Sequence, residues 1–339
     1  MTRSEVSTIQ LLSLFSFLAL SVFAICGCNE SMESVVAART DREGKLLSEA
    51  RAIISDGLSD SDPQIRTHSI EIVSDTRQVE FMPKVKKLLL DDYVPVRFAA
   101  ALAVGDTEYA MAKDSVEKLL QVPEENTRIA AAYAMYKLGS AGSINIILEG
   151  LKSRDQTVRA NAAVLLGKSG DTSHLKALYW ALRNDESEDK VRFQAAEAIA
   201  MLGDEQIFRK LWAILISVYA DDRVFALKAM GSLGTKQAKD VLTTKLDDDV
   251  LEVRLAAAEQ LGALGDPIGE PEVLEVFSRK LTAGMDEEDR QRAYARTALA
   301  IGQIGTKSLR RYLPKLLKDK SKLVRLSAAK AVFQLVKSN

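Results

Sequence analysis

Cysteine is nearly absent: Cys26 and Cys28 are the only two in 339 residues, and both lie in the first thirty. The body of the chain therefore has no disulfide framework, no thiol nucleophile and no cysteine metal site, so its stability has to come from packing. Histidine is equally scarce, with His68 and His174 alone, and neither belongs to a ligand pair of the H-E-x-x-H kind. There is no G-x-S-x-G elbow and no phosphate-cradling glycine loop. Strand-type alternation of apolar and polar residues is missing throughout. A formal charge of −1 leaves no basic excess for a phosphate backbone, so nucleic acid is not an expected partner.

What the chain does contain is a repeat. Taking Arg159 as a register mark, the equivalent residues are Arg66, Arg97, Arg128, Arg159, Arg192, Arg223, Arg254, Tyr294 and Arg325, at intervals of 31, 31, 31, 33, 31, 31, 40 and 31. The third residue after the mark is alanine in seven units, with Ser69 and Thr297 in the other two, and the seventh is always apolar. Positions three, four and seven thus form the buried stripe of an amphipathic helix. A period of this length marks a solenoid whose units bury their apolar faces only by stacking.

Glycine follows the same register. Gly139, Gly170, Gly203, Gly234, Gly265 and Gly305 fall eleven residues after the mark, where a helix C-terminus takes a left-handed residue. Gly105, Gly167, Gly231, Gly262 and Gly302 fall eight after it, inside the helix, where the expected reason is close contact between helices. Pro63 and Pro95 stand just ahead of their marks, in a first helical turn.

The pattern D-x-x-V-R-x-x-A-A-x-x-L-G-x-x-G, seen whole in Asp155 to Gly170, resembles the HEAT-like repeat family, in particular the short variant found in phycobilin lyases. The resemblance covers about residues 46–339. It implies an all-α solenoid of about nine two-helix units, with residues 1–27 and 28–45 outside the array. Asp222 (Val expected), Tyr294 (Arg expected) and Ser69, Ile70 and Ser74 in the first unit depart from the pattern. The repeated His-Glu dipeptides of HEAT-type di-iron hydroxylases are missing, and the family's phycobilin lyases act on cytosolic subunits. The expectation is a binding module without a cofactor, not an enzyme, with a lyase-like enzyme or a chaperone as further alternatives.

The first 28 residues read as an export signal, with Arg3 in the leader, an apolar run from Leu11 to Ile25, and Ile25-Cys26-Gly27-Cys28 at its end. The tetrapeptide resembles the bacterial lipobox, which implies lipid on Cys28, and residues 29–45 read as a polar tether. The alternative is an uncleaved anchor. Either places the body in the bacterial cell envelope, on the periplasmic or outer-membrane face, with the membrane contacted through the N-terminal lipid.

The turns before the marked helices are acidic, as in Asp91 and Asp92 or Asp247 to Asp249, and these carboxylates are expected to cap helix N-termini. The arginine column is expected to bridge to them from the same or the adjacent unit. Residues 307–339 hold ten basic residues against Asp319 alone. Lys307, Arg310, Arg311, Lys315, Lys318, Lys320 and Lys322 are read as a basic end, either a polar cap on an open array or a contact for an anionic surface. Two spacings exceed the period, and the longer insert contains Asp266 to Pro271, a turn sequence.

Nine stacked units predict a curved rod on the order of 80 Å long with a concave and a convex face. On a helical wheel, Leu102, Tyr133, Val164, Met201 and Phe225 point away from the buried stripe, a partly apolar concave patch suited to a protein or peptide partner in the envelope. Trp180 and Trp212 read as packing residues of the outer helices. The sequence points to a lipid-anchored scaffold that holds such a partner, or else to a spacer that sets its basic end on an anionic surface.

Overall fold

The computed structural model describes residues 43–337, and Cys28, the lipobox and most of the tether lie outside them. Among the described residues there is no strand, and no helix is long and apolar enough to cross a membrane. Residues Glu49–Asn339 form one compact unit.

Nine marked helices run through it: α1 Pro63–Thr76, α2 Val94–Asp106, α3 Glu125–Lys137, α4 Gln156–Ser169, α5 Asp189–Met201, α6 Ala220–Leu233, α7 Leu251–Ala263, α8 Glu287–Ile304 and α9 Lys322–Lys337. Each begins where the sequence signals it. Asp62, Glu124, Asp155 and Asp286 accept hydrogen bonds from backbone N–H groups two or three residues on, satisfying donors that a helix start leaves free. Pro63 opens α1, and Gly170 closes α4 at φ +77°. The outer segment before each marked helix is shorter than the periodicity suggests. It is typically one 3-10 turn and a helix of six to nine residues, as in Thr172–His174 followed by Leu175–Arg183.

Each marked helix packs on the next, from α1 to α9. The in-helix glycines allow the approach: a Cβ on Gly167 would stand 2.7 Å from the Ala198 Cα of α5, and one on Gly302 would stand 2.7 Å from the Ala331 Cα of α9. The alanines at position three are fully buried in this seam, among them Ala100, Ala131, Ala162 and Ala195.

The array does not end as a rod. Helix α9 packs back on α1, and Leu326 meets Gly57 at the end of the first outer helix, where an added Cβ would lie 3.3 Å from the leucine Cδ2. Lys322 Nζ lies 2.7 Å from Asp60 Oδ2, and Lys330 Nζ lies 2.6 Å from Asp75 Oδ2. The nine marked helices are an inner ring and the short segments an outer layer. With neighbouring helices about 8–10 Å apart, the length expected of a rod becomes the circumference of a ring. The cause is cumulative: each unit turns by the same small amount, and after nine units the last meets the first.

The long insert is also relocated. Outer helix Glu270–Ser278 occupies the same register as Leu175–Arg183, so Asp266 to Pro271 is ordinary repeat. The extra residues lie in 279–286 and in one added turn at the start of α8, which begins seven residues before its mark instead of three.

Candidate functional site on the ring

The turns that lead into the marked helices share one rim, and an arginine ladder runs along it. Arg66 makes two bonds of 2.8 Å to Asp91 in the next unit, and Arg223 reaches Asp248 at 2.9 Å and Asp249 at 3.1 Å. Arg254 reaches Glu272 at 3.0 Å. The same guanidinium groups donate to carbonyls of their own turn, for example Arg97 to Asp91 O at 2.7 Å and Arg325 to Asp319 O at 2.7 Å. At Tyr294 the mark is lost, and Arg290, one turn earlier, faces Asp319 at 3.9 Å. Lys322 to Asp60 is the same link, from the ninth unit into the turn of the first.

The carboxylate links are not continuous: Arg97 and Arg325 have only hydroxyl or carbonyl acceptors, Arg128 and Arg192 reach carboxylates of their own unit alone, and the most buried arginine without such a link is Arg159. It is 3% exposed and has no carboxylate partner, because Asn184 stands where Asp91 and Asp248 stand in their units. It donates to Glu186 O at 3.3 Å and lies 5.6 Å from the Trp180 ring centroid, leaving its Nε without a partner.

The interior is polar. Asp106 accepts from Ser74 Oγ on Oδ2 and from Tyr133 OH on Oδ1, both at 2.7 Å, and its Oδ2 also lies 3.0 Å from Lys168 Nζ. Lys228 pairs with Glu197 at 2.9 Å, and Asp75 acts on it from the far side of the ring. Burial opposes its charge, but these carboxylates, with Glu259, hold its pKa above the usual lysine value. His68 is raised likewise by its 3.0 Å bond to Glu71.

The five residues of the expected concave patch do not form one exposed surface. Tyr133 is buried, with its ring against the bare backbone of Gly105, and burial together with Asp106 raises its hydroxyl pKa. Leu102 and Phe225 pack against the core, Phe225 stacking on Phe193 at 5.2 Å between centroids. Val164 is half-buried, and Met201 is exposed. The glycine eight residues after the mark carried the missing signal, since it lets the next helix cover the position.

The basic end is corrected too. There is no open end for it to cap: Lys322 pairs with Asp60, Lys320 with Glu287 at 2.6 Å, and Arg310 donates to Gly305 O at 2.7 Å. Lys307, Arg311, Lys315 and Lys318 remain exposed on the outer segment without ion pairs.

Trp180 and Trp212, expected to pack, are about half exposed, and the turn beyond Trp212 was not singled out at all. Trp212, Ile216, Val218 and Tyr219 are exposed by 49%, 66%, 85% and 70%, in the outer helix Phe208–Leu215 and the turn into α6. Trp180 lies in the preceding outer helix. The signal was present: in a turn series that is otherwise acidic, this one reads Ile216-Ser217-Val218-Tyr219.

Comparison with known proteins agrees with the repeat. Residues 144–223 and 211–295 match the family model for HEAT repeats. The chain is similar to a deoxyhypusine hydroxylase from Eremothecium gossypii, 24% identical over 261 residues that cover 65% of this chain and 77% of that protein. It is similar to the phycocyanobilin lyase alpha subunit of a Picosynechococcus species, 26% identical over 171 residues covering 44% and 63%. Among solved structures, the complex of CpcE and CpcF of phycocyanin lyase from Nostoc is similar over 74% of this chain and 93% of that one, at 17% identity and a TM-score of 0.41.

These relatives overturn the expectation that the chain is not an enzyme, since a hydroxylase and a lyase are enzymes. That expectation rested on missing catalytic motifs, and a missing motif excludes only the chemistry that uses it. The histidines themselves do not fit a di-iron centre. His68 faces Glu71 alone, His174 is buried 3.7 Å from Asp171 in another unit, and among the described residues no three His, Cys, Asp or Glu side chains gather where they could hold a metal ion.

Proposed function

We propose that this HEAT-repeat protein is held in the bacterial envelope by lipid on Cys28 and captures a protein or peptide partner on its ring. The observation that supports this reading is the segment Trp212 to Tyr219, which presents four large apolar side chains to solvent within eight residues. Isolated exposed apolar residues are ordinary, but a cluster of them on a folded unit marks an interaction surface. Tyr and Trp are also the side chains that anchor interfaces, because they bury large rigid areas at little entropic cost. The contact lies on the rim and outer face of the sixth unit and not on Leu102, Tyr133, Val164, Met201 and Phe225, of which Met201 alone is well exposed.

The test is affinity capture from solubilised envelope with the full chain and with a Trp212→Ala, Val218→Asp variant. Both positions are exposed, so the variant folds. A protein recovered with the parent and lost with the variant supports the reading, and identical recoveries refute it.

A second reading has its own observation. Lys307, Arg311, Lys315 and Lys318 are exposed and unpaired on the outer segment of the ninth unit, a cationic face for an anionic membrane surface. Each such residue contributes about 1 kcal/mol near an anionic leaflet. Salt-sensitive binding to anionic liposomes, lost on reversing those four charges, is the expected result; binding indifferent to salt rules it out.

A further inference from the structure

A cavity of about 450 Å³ opens on the same rim, between the N-terminal ends of α6, α7 and α8. Its α8 side is formed by Met285 in the segment before the helix, Asp289 in the added turn, and Arg292 and Ala293 just beyond that turn. Ala220, Val250, Leu251 and Met285 are the larger apolar side of its lining, and Asp221, Glu252 and Asp289 are its carboxylates. Arg292 is the single cation in the lining, and it is already engaged, with Glu252 at 3.1 Å, Glu288 at 2.9 Å and Asp289 closer still. Asp221 is exposed and makes no ion pair. The apolar turn Ile216 to Tyr219 leads directly into Ala220 at the cavity edge, so an apolar strip runs up to an acidic, partly apolar pit.

We infer that this pit and strip take a short peptide segment of a partner in which an aliphatic side chain is followed by lysine or arginine. The volume is within the range of pockets that enclose a ligand group. With Glu252 and Asp289 taken up by Arg292, Asp221 is the carboxylate left to select a positive charge, and the neighbouring strip extends the contact beyond what a small cation covers. The repeat is broken at this place and nowhere else to the same extent, as a site of specific recognition in a stacked array requires. This inference rests on the partner-binding reading above and names the chemistry of the partner.

The probe is a fluorescently labelled synthetic peptide of alternating leucine and lysine, with a leucine and glutamate peptide as its counterpart, titrated against the full chain by anisotropy. The Leu/Lys peptide is expected to bind, the Leu/Glu peptide to bind at least tenfold more weakly, and Asp221→Lys to weaken the Leu/Lys peptide at least tenfold. Asp221 is exposed and unpaired, so that variant leaves the fold intact; Val218→Ser, which shortens the apolar strip, is expected to weaken binding by a smaller factor. Equal binding of both peptides, no response to Asp221→Lys, or binding of spermidine without binding of the peptide each overturns the inference. Peptide binding that fails while envelope capture still depends on Trp212 and Val218 removes this pit alone. Peptide binding that holds while capture does not depend on them removes the Trp212 to Tyr219 surface as the partner contact.

Discussion

Reversing two charges should open the ring without unfolding it. Lys322→Glu and Lys330→Glu place carboxylates against Asp60 and Asp75, the two acidic groups they now hold at 2.7 and 2.6 Å. Both pairs are partly exposed, so each contributes roughly 0.2–1 kcal/mol, and the repulsion that replaces it is of similar size. Together the two reversals remove about 1–4 kcal/mol from the contact of α9 with α1. A loss near 3 kcal/mol raises the population of the opened seam about 100-fold. Hydrogen–deuterium exchange on the full chain reads this directly: amides of α1 and α9 should exchange faster, while α4, on the opposite side, stays at its parent rate. Adding Asp60→Lys and Asp75→Lys restores opposite charges across the seam and should restore protection. An equal acceleration in α4, or no recovery in the fourfold variant, would refute the claim that these pairs close the ring.

Other consequences follow from the same contacts. Acid should loosen the seam, because the bond from Lys322 holds the Asp60 carboxyl below its ordinary 3.8. Its contribution is complete above that value and lost as pH falls through the lowered one, so α9 protection should fall in that range before the far side responds. His68, raised by Glu71, should titrate above 6.5 by NMR and return toward it in Glu71→Gln; its contribution to stability is present below 6.5 and lost as pH rises through the raised value. Gly167→Val puts a branched side chain where a Cβ already stands 2.7 Å from Ala198 Cα, and should cost about 1–3 kcal/mol in urea unfolding. Arg66→Leu strands the part-buried Asp91 and should cost about 1–3 kcal/mol. Arg159→Leu removes an unpaired buried charge and should be close to neutral, so equal losses in these two leucine variants would contradict the ladder as described.

The units were legible because their signals are local. Arg159, Ala162, Leu166, Gly167 and Gly170 fix one helix, its buried stripe, its close neighbour and its end, and each lies within eleven residues of the mark. Closure was not legible, since it depends on the sum of nine small rotations. The pair that completes it, Lys322 and Asp60, is 262 residues apart in a chain full of lysine and aspartate. Tyr133 was misplaced for a related reason: a helical wheel describes one helix, whereas the cover over Tyr133 comes from Gly105 and Asp106 on another. At the rim, the expectation of caps holds for Asp62, Glu124, Asp155 and Asp286 but not for Asp91 or Asp248, which face Arg66 and Arg223 ahead of helices without a side-chain cap, and the regularity of the acidic turns drew attention from the one that is apolar, Ile216 to Tyr219.

An open solenoid lengthens or shortens by whole units, provided its two ends carry polar surfaces. A closed one cannot. Each of nine units supplies about one ninth of a full rotation, so an eighth-unit or tenth-unit version would meet itself out of register, with Lys322 no longer over Asp60 and Leu326 no longer over Gly57. Adding or removing a whole unit is thereby shut off for this chain. Novelty has to be added within a unit, as the added turn of α8 is, leaving the circle whole.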